Sequence, residues 1–261
     1  MSEMIYPFGS KLKPVMQKDR SSKKVFVLGV YASAVHARWY GPDGKIRVRA
    51  LAVASEPEIF WQGDEEEAQK IINAISIPSE CGYLKSDERF NGPSGKALDD
   101  LFLKPLGYSN RKEVWLCDLL PESRLNKGQH KALEREYAPL AKRGLVSHVT
   151  IPSVRRPFSN DARHEEIVAE LMESKAKLLI TLGDIPLREF VARYKKEWNR
   201  LSVFGTSRNK YGKRHELAIE GRTIELLPLV HPRQAKRMGA SSSDWAKLHS
   251  YWVDHAKELA K

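Results

Sequence analysis

Cysteine is scarce in this chain: Cys81 and Cys117 are the only two among 261 residues. Two thiols cannot build a disulfide framework, nor supply a four-thiolate zinc or iron–sulfur site. Both are read as reduced, with Cys117 a buried strand residue inside the run VWLCDLL. No apolar stretch approaches the roughly 18 residues that a membrane-spanning helix needs. The N-terminal residues 1–22 lack the apolar core of a secretory signal. No membrane partner is expected, and the expected location is intracellular: cytoplasmic, or nucleoid-associated if the source is bacterial. No H-E-x-x-H or comparable ligand cluster occurs, so no metal is expected. The phosphate-loop pattern fails because Gly95-Lys96 is followed by Ala97, and position 90 is Phe. No G-x-G-x-x-G follows the first apolar strand either, which leaves ATP and NAD without support, and no cofactor is expected.

Acidic charge is also in deficit. Lys and Arg total 44 against 33 Asp and Glu, a formal net charge of +11. An excess of this size suits a polyanionic partner. Its distribution says more: Arg193 to Arg237 holds twelve Lys/Arg and four acids, with Tyr194, Trp198, Phe204 and Tyr211 between them. Basic groups neutralise phosphates and aromatic faces stack on bases, so this stretch is a candidate nucleic-acid surface. The plainer alternative is a solvated face with core aromatics between its charges.

What is present reads as an ordinary folded chain, with 41% hydrophobic and 30% charged residues of mixed sign. The polar stretch 1–22 reads as a tail, and 23–261 as a single domain, expected as a monomer. Short, continuous apolar runs predict buried strands over 23–30, 48–54, 113–120, 177–183 and 223–230, with a shorter candidate over 147–151. Helical spacing predicts helices over 65–75, 92–106, 129–142, 161–175 and 244–260. Another is expected after Gly183, with Asp184 as its cap. A basic, hairpin-like segment fills 200–222. The alternation predicts an α/β fold: a three-layer α/β/α sandwich with a mainly parallel central sheet. Such a sheet binds its ligand at the carboxyl ends of its strands. That singles out Gly29–Ser33, Asp118–Ser123, Gly183–Asp184 and His231–Arg237.

His231 follows an apolar strand and precedes Pro232, which fixes the backbone as the chain leaves the sheet and presents the imidazole at the strand end. It reads either as a structural cap or as a chemical group. Asp118 interrupts an apolar run and must find partners, as a local cap or as an acid at a site. The loop Phe90-Asn91-Gly92-Pro93-Ser94-Gly95 precedes a helix. Its two glycines permit close backbone approach, although such loops also occur as simple turns. Trp245 and Trp252 read as helix packing.

In order and spacing these segments resemble the uracil-DNA glycosylase superfamily, over roughly residues 23–240. VFVLGVYASA resembles its first motif. FNGPSGKALDDLF is similar to the segment carrying a base-stacking Phe, and EVWLCDLLPESRLN to the strand whose polar end residue, usually Asn, reads the base edge. KLLITLGDIPLREF and LLPLVHPRQAKRMG look like the strand–Gly–helix and the His-Pro motif. The resemblance implies cofactor-free hydrolysis of an N-glycosidic bond in DNA, on a base flipped out of the stack. Carried over by position, His231 is the electrophile and Asp118 the edge reader. Phe90 and Asn91 bind the base, with Gly29, Tyr31, Ala32 and Ser33 beneath the sugar. Ser94, Arg233, Lys236 and Arg237 hold DNA.

The chain departs from the pattern in four places. Val30, Tyr31 and Ala32 stand where a water-positioning acid or Asn is usual, leaving His36 or Asp118 as substitutes. Ala235 stands at the wedge position, leaving Met238 to fill the duplex. Asp118 replaces Asn, and an ionised Asp repels the oxygens of uracil. The branch with an iron–sulfur cluster requires cysteines this chain lacks. Two other readings stand beside the glycosylase: a non-catalytic DNA- or base-binding protein on the same fold, and an α/β enzyme acting on small nucleotides or nucleosides.

Overall fold

A computed structural model describes residues 3–238 and 243–260. The strands are β1 (Val25–Tyr31), β2 (Ala34–Tyr40), β3 (Ile46–Ser55), β4 (Tyr83–Ser86), β5 (Val114–Leu120), β6 (Leu178–Leu182), β7 (His215–Ile219) and β8 (Arg222–Leu229). The α-helices are α1 (Glu65–Asn73), α2 (Pro93–Leu98), α3 (Lys127–Ala132), α4 (Ala138–Lys142), α5 (Asp161–Ser174), α6 (Asp184–Glu189), α7 (Pro232–Ala235) and α8 (Ser243–Leu259). Contacts within the chain fall into two units. One comprises Met16–Val30, Lys96–Leu120 and Pro157–Lys261; the other comprises Met1–Val15, Tyr31–Gly95 and Pro121–Arg156.

The first unit is an α/β unit built on a five-stranded sheet in the order β5-β1-β6-β8-β7. β1 pairs with β6 in parallel (Val25↔Leu178 to Leu28↔Thr181), and β6 with β8 in parallel (Leu178↔Glu225 to Leu182↔Leu229). The edge strand β7 runs antiparallel to β8. Its two-residue turn places both Glu220 (φ 46°) and Gly221 (φ 72°) in the left-handed region, the geometry that matches strand twist. β6 is buried at every position and β1 at all but its last, so both faces of the sheet centre are covered. The mainly parallel sheet expected from the apolar runs is therefore present.

α5 packs on β5. Asn160 caps it, accepting from the Arg163 N–H at 2.8 Å. Ile167 and Leu171 are buried as its periodicity implies, but so are Arg163 and Glu170. Glu170 accepts from Trp115 Nε1 at 2.9 Å and pairs with Arg163 at 3.3 Å. The helix after Gly183 is shorter than expected, and Asp184 does not cap it: its carboxylate accepts from the Leu201 N–H at 2.8 Å, tying down the loop ahead.

The second unit holds a three-stranded antiparallel sheet in the order β3-β2-β4, which the apolar runs foreshadow only at β3. The residues expected as a tail are built into the fold. Tyr6 is fully buried, and the Phe8 N–H donates to Tyr137 Oη at 2.9 Å. The rings of Phe8, Trp39 and Tyr137 meet edge to face at 5.2–6.1 Å. Residues 147–151 form no strand; the nearest pairing is the single bridge Leu125↔Ser153. Segments 60–63 and 91–95 lie backbone against backbone. A Cβ on Gly92 would stand 2.0 Å from the Gln62 carbonyl, and one on Gly95 2.1 Å from that of Phe60.

Candidate functional site

β8 delivers His231 to the carboxyl end of the parallel sheet, where it caps α7. Its Nδ1 accepts from the Arg233 N–H at 3.2 Å, and its own N–H donates to Gln234 Oε1 at 3.3 Å. A neutral imidazole whose Nδ1 is an acceptor carries its proton on Nε2. Among the described residues nothing accepts that Nε2–H. Burial, assisted by the nearby Arg233 charge, pulls the His231 pKa down to about 4, so the ring is neutral at physiological pH. Gly183, at the end of neighbouring β6, gives the ring its seat. Its φ is +85°, its N–H donates to Leu229 O at 2.7 Å, and a Cβ there would press on His231 Cβ at 3.3 Å.

A buried relay holds the residue before it. The Val230 N–H donates to Tyr211 Oη at 3.1 Å, Tyr211 Oη lies 2.8 Å from His249 Nδ1, and His249 Nε2 lies 3.0 Å from Leu101 O. A carbonyl only accepts, so Nε2 carries the His249 proton, Nδ1 accepts, and the Tyr211 hydroxyl donates to it. Tyr211 and His249 are each 1% exposed, and burial lowers the His249 pKa to about 4. α8 clamps this arrangement through Trp252, whose Nε1 donates to Gly212 O at 3.1 Å.

Asp118 lies near the end of β5, 4% exposed. Strand alternation sends Trp115 and Cys117 towards α5, where Arg163 and Glu170 receive them, so the Asp118 side chain leaves on the opposite face. Arg163 donates to the Asp118 carbonyl at 2.8 Å, not to its carboxyl. The carboxyl makes no hydrogen bond among the described residues. Burial raises its pKa to about 7, with the Arg163 charge acting the other way.

In the order β5-β1-β6-β8, the chain proceeds from β1 to one side for β5 and to the other for β6 and β8. The winding order reverses between the parallel neighbours β1 and β6, and a switch point of this kind is where open α/β sheets place a crevice beyond the strand ends. Gly29 lies on β1 beside it. Asp118 on β5 and His231 beyond β8 lie on either side of it, three strand spacings or about 14 Å apart at the backbone.

Tyr31, Ala32, Ser33, Phe90, Asn91 and Ser94 belong to the second unit. Phe90 is half-buried in a turn whose N–H bonds Asp87 O at 3.0 Å, and Arg89 lies over its ring at 5.7 Å. Asn91, expected to bind a base, is 1% exposed and holds the loop: its Oδ1 accepts from the His36 N–H at 2.8 Å and its Nδ2 donates to His36 O at 3.0 Å. The glycines of that loop approach the chain's own 60–63 segment, the close backbone contact that their lack of a side chain permits. Ser94 is half-buried in the first turn of α2. Tyr31 ends β1 half-buried, Ala32 is 3% exposed, and Ser33 is exposed, its carbonyl accepting from the Ser123 hydroxyl. His36 Nε2 lies 2.8 Å from Gln129 Nε2.

Arg233, Lys236 and Arg237 are exposed around α7, with Met238 half-buried behind them. The aromatics of 193–237 are packed rather than displayed. Phe204 and Tyr211 are buried, Tyr194 lies against Phe190 and His164, and Trp198 meets Phe204 edge to face while carrying Lys195 over its other side at 3.8 Å. An open pocket lined by Ser159, Asn160, Asp161, Arg188 and Arg193 includes neither His231 nor Asp118. Among the described residues no three His, Cys, Asp or Glu side chains are grouped so as to share a metal ion, and no helix is long and apolar enough to cross a membrane. No model of a known protein family matches the sequence, and no curated protein matches it.

Proposed function

We propose that this chain is a DNA glycosylase, hydrolysing the N-glycosidic bond of a flipped-out deaminated or damaged base in DNA repair. The observation that carries this reading is the neutral His231, fixed through Nδ1 with its Nε2–H left to donate, at the end of a strand of the parallel sheet. When the bond breaks, its electron pair stays on the base and a ring oxygen gains negative charge. A prepositioned N–H at that oxygen stabilises the charge without first having to reorganise. Water adds to the sugar carbon, and its proton leaves to solvent. Arg233, Lys236 and Arg237 are the groups offered to the strand's phosphates, with Met238 beside them to enter the stack.

The test is incubation of purified protein, at stoichiometric amounts, with single- and double-stranded oligonucleotides carrying uracil, hypoxanthine or xanthine. Alkaline cleavage at the modified position is expected on at least one of them, and intact strands on all would overturn the reading.

A second reading is a non-catalytic binder on the same fold. It is favoured by Val30 and Ala32, buried apolar residues where an acid would direct water. DNA binding that weakens steeply with salt and survives His231→Ala, with no base released by the wild type, would favour it. Loss of a measurable cleavage on that substitution would eliminate it. An enzyme of small nucleotides requires no affinity for long DNA, so a salt-sensitive gel shift opposes that alternative.

A further inference from the structure

We infer that Asp118 reads the base as a neutral carboxylic acid, so that the site takes bases presenting a carbonyl beside an N–H, the edge shared by uracil, hypoxanthine and xanthine. This deepens the glycosylase reading and rests on it. An ionised carboxylate offers only acceptors and repels a carbonyl oxygen, whereas the protonated form sets one donor and one acceptor side by side. One oxygen of Asp118 then donates to the base carbonyl while the other accepts from its N–H. His231 Nε2–H remains for an acceptor on the far side of the ring.

The structure supports the neutral form through what surrounds the group. Asp118 is 4% exposed and its carboxyl lacks a protein hydrogen-bond partner among the described residues. The charged groups packed on β5 from α5 are Arg163, Glu166 and Glu170. The Arg163 guanidinium is already engaged by Glu166 at 2.9 Å, Glu170 at 3.3 Å and the carbonyls of Asp118 and Leu119. One cation shared by two carboxylates offsets the burial of a third only in part. The Lys24–Glu113 pair sits at the other end of the strand, and β1 alongside is apolar or glycine from Val25 to Val30. A buried carboxyl whose nearest cation is engaged elsewhere keeps its proton well above the usual carboxylate range, and here burial outweighs the Arg163 charge and the pKa is about 7.

The experiment has two arms on the full chain. The first follows the Asp118 carboxyl carbon by NMR titration, with Asp118→Asn assigning the signal. Titration near neutrality is expected, and titration near 4 would overturn the inference whatever the protein's activity. The second measures single-turnover uracil release across pH. For the wild type it is expected to fall about tenfold per pH unit above the transition. Asp118→Asn, which carries donor and acceptor at every pH, should lose that fall and release uracil faster than the wild type at about pH 8.5, while Asp118→Leu should be slow throughout. Release that is flat with pH, or that falls equally in Asp118→Asn, overturns this inference and leaves the glycosylase reading standing. No release and no binding of uracil-containing DNA with Asp118 protonated overturns both.

Discussion

Replacing His231 by alanine is expected to slow base release by about 10²–10³-fold, the range seen when one preorganised donor to a developing oxyanion is lost, or roughly 2.7–4 kcal/mol of transition-state stabilisation. The effect should fall on the chemical step and leave DNA affinity nearly unchanged, because the exposed cations around α7 remain. His231 also caps α7 through Nδ1, so alanine costs about 1 kcal/mol of local stability as well. His231→Asn separates the two roles. Asparagine is a preferred capping residue whose oxygen can replace Nδ1, but its amide stops short of where Nε2–H reaches. It should keep wild-type stability in urea and share the rate loss of alanine. If Asn restored both stability and rate, His231 would be a cap and nothing more.

The second large effect concerns the relay behind the strand end. Tyr211→Phe keeps the ring and removes the hydroxyl, stranding the Val230 N–H and His249 Nδ1. Both residues are almost fully buried, and each unsatisfied buried group costs about 1–3 kcal/mol, so a loss of about 2–6 kcal/mol is expected. Against a typical stability of roughly 5–15 kcal/mol that is a large fraction. Urea unfolding measures it, with the midpoint falling at an unchanged slope. Because Val230 precedes His231, base release should also slow, by less than in His231→Ala. A stability change under about 0.5 kcal/mol would mean that the Val230 N–H finds another partner and that the relay does not position the histidine.

The strands of the parallel sheet were legible because strands covered on both faces are continuously apolar. Val25–Val30, Val114–Leu119 and Leu178–Leu182 need no periodicity to be read. β2 escaped because it has one covered face. Val35, Ala37 and Trp39 are buried and alternate with His36 and Arg38, a two-residue period that was there to be seen. Residues 147–151 have strand-like composition but no pairing strand to complete their hydrogen bonds. The tail was misread because Tyr6 and Phe8 fill a core without any repeating spacing.

At the site, His231 and Asp118 were legible as polar residues closing apolar strands. The rest depended on distant partners. Nothing in the local sequence says that Asn91 binds the backbone of His36, or that Tyr211, in a basic stretch, meets His249 and Val230. Nor does it say that Arg163 pairs with Glu166 and Glu170 and bonds the Asp118 carbonyl, leaving the Asp118 carboxyl without an ion pair of its own.

On the glycosylase reading, an extruded base sits across the switch point of the five-stranded sheet, held between His231 and Asp118. A crystal structure of the chain with an oligonucleotide carrying a non-hydrolysable fluorinated deoxyuridine tests it most directly. The account predicts the uracil ring beyond the ends of β1 and β6, with His231 Nε2 and the Asp118 carboxyl each within hydrogen-bonding distance of its edge. A base bound elsewhere, with both side chains untouched, would contradict it.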